Sequence, residues 1–187
     1  MANQITISKT GKFGLPVITA MYHADERGFA RKSYEKQLFQ EHGLDFSATE
    51  IFESRSVKNV IRGMHFQKSR PQTKIVRPVY GQIFDVVVDI RRESATFGEW
   101  ESILLDGDSL HNALYIPGGF AHGFLVLSDA VLISYQLMGV YDPADDSGIY
   151  WADDEVGIQW PVPSKEEVLL SEKDHKLPLL RSHQWEK

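Results

Sequence analysis

From Ile51 onward the chain is written in short runs of Val, Ile, Phe and Tyr, broken by Gly, Pro, Asn and Asp at spacings of roughly ten residues. That cadence constrains the fold more than any other feature, because runs so short reach across a sheet but leave no room for βαβ crossovers. In GQIFDVVVDI, Phe84, Val86, Val88 and Ile90 alternate with Ile83, Asp85, Val87 and Asp89, giving one apolar face and one that carries carboxylates. LYIPGGFAHGFLVLS reads as two strands about a Pro-Gly-Gly turn, and AVLISYQLMGVY as another strand. The expectation is an all-β, jelly-roll, cupin-like barrel rather than a doubly wound sheet.

The flanks differ from this core. The N-terminal stretch holds one strand (LPVITAMYH), a polar turn (ADERGFA) and a helix in SYEKQLFQEHGL that stops at Gly43. The C-terminal stretch, with WPVPSKEE and LPLL, reads as turns and short peripheral helical pieces. A length of 187 residues suits a single domain, 1–187, with its core at about 50–162 and both ends packed on it.

Composition narrows the chemistry. A net charge of −6 argues against broad binding to nucleic acid or to an anionic membrane, so any phosphate contact has to be local. With no cysteine there is no disulfide, no thiolate nucleophile and no Cys-ligated zinc. MANQITISKTGKFG lacks the basic-then-apolar pattern of a signal peptide, and no apolar run approaches the ~20 residues that span a bilayer. A cytoplasmic location is expected.

Inside a barrel, polar residues on apolar strands are the ones to question. In VIRGMHFQKSRPQTKIVR, His65 is either a satisfied rim histidine or a proton-transfer group. Strict alternation would set Arg62 on the opposite face from His65, and a bulge or twist at Gly63 would bring the two together. Lys74 is either a solvated strand end or a cation for a phosphate or an oxyanion. Tyr135 and Tyr141 are core tyrosines or, if they face a lumen, acids. An open catalytic metal site wants about three convergent ligands. Here the alternate partner of His65 is the weakly ligating Gln67, and His122 stands alone in GGFAHGF.

Taken together, RGMHFQ, QTKIVR, YGQIFDVVVDIRRESATFGEW, LYIPGGFAHGFLVLS, YDPADDSGIYWADDEVGIQWP and LSEKD resemble the dTDP-4-dehydrorhamnose 3,5-epimerase family, in register from about Pro16 to Leu180. The resemblance implies a cupin-like jelly roll, usually a homodimer, that epimerises a nucleotide-linked 4-keto-6-deoxyhexose in deoxysugar biosynthesis without metal or organic cofactor. It implies His65 as catalytic base, Asp174 as the carboxylate that orients it, Tyr135 as proton donor on the other face of the sugar, and Lys74 as the cation near the C4 oxygen. Tyr141 matches a tyrosine beside the keto group, and Arg27, Arg62, His122, Asp146 and Lys173 fall on substrate-binding positions.

Two segments depart from the family pattern. The typical QDNHS is here Glu50-Ile51-Phe52-Glu53-Ser54, without the second histidine, and the typical RGFFFES is here Arg27-Gly28-Phe29-Ala30-Arg31-Lys32-Ser33. These substitutions open the nucleotide to CDP or another base in place of dTDP, and the epimerised centre to C3, C5 or both. Two other classes stand beside this one: a sugar-nucleotide-binding cupin without catalysis, and a metal-dependent cupin oxygenase.

Overall fold

The computed structural model describes residues 4–162 and 164–183; residues 1–3, Pro163 within WPVPSKEE, and 184–187 lie outside the described residues. Among the described residues there are thirteen strands: β1 (Thr6–Lys9), β2 (Pro16–Thr19), β3 (Met21–Asp25), β4 (Gly28–Lys32), β5 (Glu50–Val57), β6 (Ile61–Gln67), β7 (Thr73–Tyr80), β8 (Gln82–Asp89), β9 (Trp100–Asp106), β10 (His111–Ile116), β11 (Phe120–Val126), β12 (Ala130–Met138) and β13 (Asp146–Gly148). They form a six-stranded sheet in the order β1-β2-β10-β7-β12-β5, a five-stranded sheet in the order β13-β6-β11-β8-β9, and the separate hairpin β3-β4. Neighbouring strands in these sheets run antiparallel. The fold is all-β and cupin-like, a jelly roll flattened into a sandwich whose two sheets stay distinct. Strands β1 and β2 belong to the larger sheet itself, and LPVITAMYH divides at Ala20 into β2 and β3.

The core is what alternate positions of the two sheets place between them. Val17, Val76, Leu114, Ile116, Ile133 and Tyr135 come from the larger sheet and meet Ile83, Val87, Leu105, Phe120, Phe124 and Val126 from the smaller. In β8 the carboxylate-bearing face is therefore the inner one. Its other face is also covered, with Val86, Val88 and Ile90 packed beneath Ile149, Val156 and Leu180 of the C-terminal stretch. Asp85 and Asp89 are both fully buried, which a charge tolerates only with partners. Asp89 accepts hydrogen bonds from the Arg91 guanidinium and from the Ser94 and Thr96 hydroxyls, and those bonds hold its carboxyl well below the usual range despite burial. Asp85 has a different partner, described below.

The outer face of the larger sheet is capped by Phe39 and Phe46 on Ile18, Ile75 and Tyr115. Phe39 sits on helix α1 (Lys36–Glu41), shorter than the sequence suggested, and Gly43 follows it at φ +73°, its N–H bonded to the Gln40 carbonyl at 2.9 Å. The C-terminal stretch consists of 3₁₀ turns at Lys165–Glu167 and Leu180–Ser182 around a short helix, α2 (Glu172–His175). No helix among the described residues is long and apolar enough to cross a membrane.

Candidate active site

One end of the sandwich opens into a cavity of about 360 Å³. The smaller sheet lines it with Arg62, His65, His122 and Phe124, the larger with Lys74, Tyr135 and Leu137, and β5 adds Glu50, Phe52 and Ser54. The bulge suspected from sequence is present. Along β6 and β11, His65 faces His122 and Arg62 faces Phe124, so Gly63 and Met64 together oppose the single residue Gly123. That extra residue turns Arg62 and His65 to the same side. Gly63 takes φ +120°, and a Cβ there would lie 2.6 Å from the Gly123 Cα, so only glycine fits.

His65 Nε2 meets Asp174 Oδ1 at 2.6 Å. The carboxylate arrives on α2, where the Asp174 N–H is capped by the Ser171 hydroxyl at 3.1 Å, and it is almost fully buried. Burial pushes the Asp174 carboxyl up, but the hydrogen bond and charge of His65, with the bonds from Ser171 and Gly63, outweigh it and hold the acid below its ordinary value. In the neutral imidazole, Nε2–H given to Asp174 leaves the lone pair on the other ring nitrogen, Nδ1.

The larger sheet supplies the second wall. Tyr135 is nearly buried, and burial pushes its phenol up to about 12, so it is a protonated donor at neutral pH. Its hydroxyl lies 3.3 Å from the Ser54 hydroxyl. Lys74, two residues along the inner face of β7 from Val76, has its ammonium drawn down to about 8 by burial, against the opposing pull of Asp146 and Asp85. The mouth holds a third group: Asp146 accepts from the Tyr141 hydroxyl at 3.1 Å and pairs with Lys173.

Nine of the ten residues named from the sequence converge here, counting Asp174 through its bond to His65. Arg27 does not. It sits in the two-residue turn at the tip of the β3–β4 hairpin, its side chain 84% exposed and ion-paired with Asp25, and it is not among the residues that line the cavity.

Sequence reasoning passed over four contributors. Asp85 holds His122 Nε2 at 2.9 Å, so a second buried carboxylate–imidazole pair stands beside the first. Its signal was a carboxylate at an inward position between Ile83 and Val87. Gln67 lines the cavity, and its side chain bonds the Arg70 and Val140 carbonyls and the Asp142 N–H, fixing the loop that carries Tyr141. Phe52 and Ser54 lie on an edge strand whose pairing partner no local pattern reveals. Glu53, at the position of the missing second histidine, does not line the cavity. Among the described residues no three His, Cys, Asp or Glu side chains gather where they could hold a metal ion.

Known proteins carry the same arrangement of chain. The dTDP-4-dehydrorhamnose 3,5-epimerase of Methanothermobacter thermautotrophicus is 42% identical over 175 residues, covering 94% of each chain. The dTDP-4-dehydrorhamnose 3-epimerase of Streptomyces niveus is 39% identical over 169 residues, covering 89% of this chain and 80% of its own. The crystal structure of the Legionella pneumophila dTDP-6-deoxy-D-glucose-3,5-epimerase in complex with dTDP-4-keto-L-rhamnose superposes with a TM-score of 0.89 at 37% identity, covering 96% of this chain and 94% of that one. The sequence model for dTDP-4-dehydrorhamnose 3,5-epimerase matches residues 10–182, nearly the full span of both sheets and of the segment that delivers Asp174, and on these grounds the chain belongs to the dTDP-4-dehydrorhamnose 3,5-epimerase family.

Proposed function

We propose that this protein is an isomerase that inverts C3, C5 or both in a nucleotide-linked 4-keto-6-deoxyhexose, as a step of deoxysugar biosynthesis. The observation that carries the reading is that His65, braced by Asp174, and Tyr135 stand on opposite walls of one cavity. A C4 ketone acidifies the hydrogens on C3 and C5, because the carbanion left behind delocalises onto oxygen as an enolate. His65 Nδ1 removes the carbon-bound proton, Asp174 stabilises the resulting imidazolium, and the Lys74 ammonium meets the enolate oxygen. Tyr135 returns a proton to the opposite face, which inverts the centre. No step calls for a metal or an organic cofactor.

The remaining groups fit the rest of the substrate. Arg62 and Lys173 at the mouth suit a diphosphate, His122 and Tyr141 the sugar, and Asp146 orients Tyr141 and Lys173. Arg27 reaches a substrate only if the β3–β4 hairpin projects into a second copy, and a homodimer in which it does so accounts for its exposure. The exposed edge strand β5, with Ile51 and Val57 in the open, gives such a dimer a surface. The names of the relatives support dTDP as the carrier, while the departures from the family pattern in segments 27–33 and 50–54 keep CDP or another nucleotide as the alternative to be tested.

A panel of dTDP-, CDP-, GDP- and UDP-linked 4-keto-6-deoxyglucoses in deuterated buffer, followed by NMR, tests reaction, regiochemistry and nucleotide together. Deuterium at C3, C5 or both of the dTDP sugar, with inversion, is the expected result. Tight binding without exchange on any sugar would make the protein a binding cupin, and stoichiometric iron by elemental analysis would favour an oxygenase.

A further inference from the structure

Strand β5 pairs with β12 so that Phe52 stands directly opposite Tyr135 and Ser54 lies two residues further along the same face. The two rings lie face to face, centroids 4.5 Å apart and planes 12° from parallel. Phe52 is 42% exposed, at the cavity mouth, while Tyr135 beneath it is 8% exposed. A large apolar ring left that open on an edge strand does little for the core. Its contact is with one face of the tyrosine, whose other surroundings are the core side chains of the sandwich. One strand thus fixes Tyr135 twice, its plane through Phe52 and its hydroxyl through Ser54.

We propose that Phe52 is a positioning residue that aims the Tyr135 phenol at the substrate carbon by stacking on its ring, and so decides whether the enolate is reprotonated with inversion. The inference rests on the proposed reaction and on Tyr135 as its proton donor. In that step the phenol O–H breaks as the new C–H bond forms, and the phenolate regains its proton from water. Without the stack the ring swings, the phenol misses the carbon, and the enolate is instead reprotonated from the side it was formed on. There His65, its side chain 32% exposed, exchanges its captured proton with solvent and hands a solvent hydrogen back. The signature is exchange without inversion.

The test is deuterium wash-in and net inversion measured together on one 4-keto-6-deoxy sugar nucleotide in deuterated buffer, for wild type, Phe52→Ala, Phe52→Leu and Phe52→Tyr. A misplacement of about 1 Å costs on the order of 10²-fold in rate, so inversion by Phe52→Ala is expected to fall ~10- to 100-fold with KM little changed. Wash-in at the same carbon falls far less, raising the exchange-to-inversion ratio by about tenfold or more. Phe52→Tyr, which keeps the stack, restores the wild-type ratio. Phe52→Leu, which keeps apolar bulk on the edge strand, shows the raised ratio and is read in place of Phe52→Ala if that variant does not fold. Exchange and inversion falling by one common factor would overturn the proposal. Wild-type protein that does neither would overturn the proposed reaction instead, so the two failures are distinct.

Discussion

The role proposed for Lys74 needs charge, and its buried place disfavours it. Burial draws its ammonium down to about 8, so the cation required at the enolate oxygen is present below that pH and lost as pH rises through it. The profile of kcat/KM reports the free enzyme, and its alkaline limb is expected near pH 8; the Tyr135 phenol, pushed up to about 12, leaves that range untouched. Lys74→Arg, whose guanidinium stays charged, should remove the limb at a reduced rate, and Lys74→Met should lower kcat by about 10²–10³-fold. A limb that stays in place in Lys74→Arg would mean another group titrates. His65, Lys74 and Tyr135 were marked in the sequence as titratable side chains set in apolar strands, their proposed roles coming only from the family resemblance. Phe52 was not, since a phenylalanine in a strand carries no such contrast and its meaning comes from the residue across the ladder.

At the scale of the element, the bulge in β6 decides whether there is a site at all. A regular strand would send Arg62 and His65 to opposite faces. Gly63→Ala puts a Cβ 2.6 Å from Gly123 Cα and 2.7 Å from the His122 carbonyl, at a φ that side chains rarely adopt. Urea unfolding should show a loss of about 2–4 kcal/mol. The fraction that remains folded should turn over more slowly than wild type, because relief of the clash disturbs His65 and His122 together. Unchanged stability would show that β6 can follow another path. Gly63 marked where a bulge or twist would bring Arg62 and His65 together, whereas the two-strand split at Ala20 and the early end of α1 were set by packing that the local pattern does not contain. The inner face of β8 was harder still. The sequence showed a face that carries carboxylates, and Asp85 and Asp89 are nonetheless buried, because hydrogen bonds from His122, Arg91, Ser94 and Thr96 replace water.

At the scale of the molecule, alternation and turn spacing were enough to foretell an all-β jelly roll, expected as a barrel and found as two distinct sheets, since each inward position had to find an apolar neighbour. Pairing over long separations was not foretold: Asp174 lies 109 residues from His65, and nothing local says that α2 folds back against β6. Arg27 shows the complementary limit. The motif marks the residue without telling where its hairpin lies relative to the cavity. Light scattering is expected to give twice the mass of one chain, and Arg27→Ala should raise KM by about tenfold with kcat nearly unchanged, as removal of one charged contact does. A monomer with full activity would remove the role proposed for the hairpin.

The central claim is that a base and an acid on facing walls act on opposite sides of one carbon. The most direct measurement is NMR of a 4-keto-6-deoxy sugar nucleotide turned over in deuterated buffer by His65→Asn and by Tyr135→Phe. The account predicts that His65→Asn neither exchanges nor inverts, while Tyr135→Phe still exchanges the carbon-bound hydrogen and no longer inverts the centre. Inversion surviving in Tyr135→Phe, or exchange surviving in His65→Asn, would contradict it.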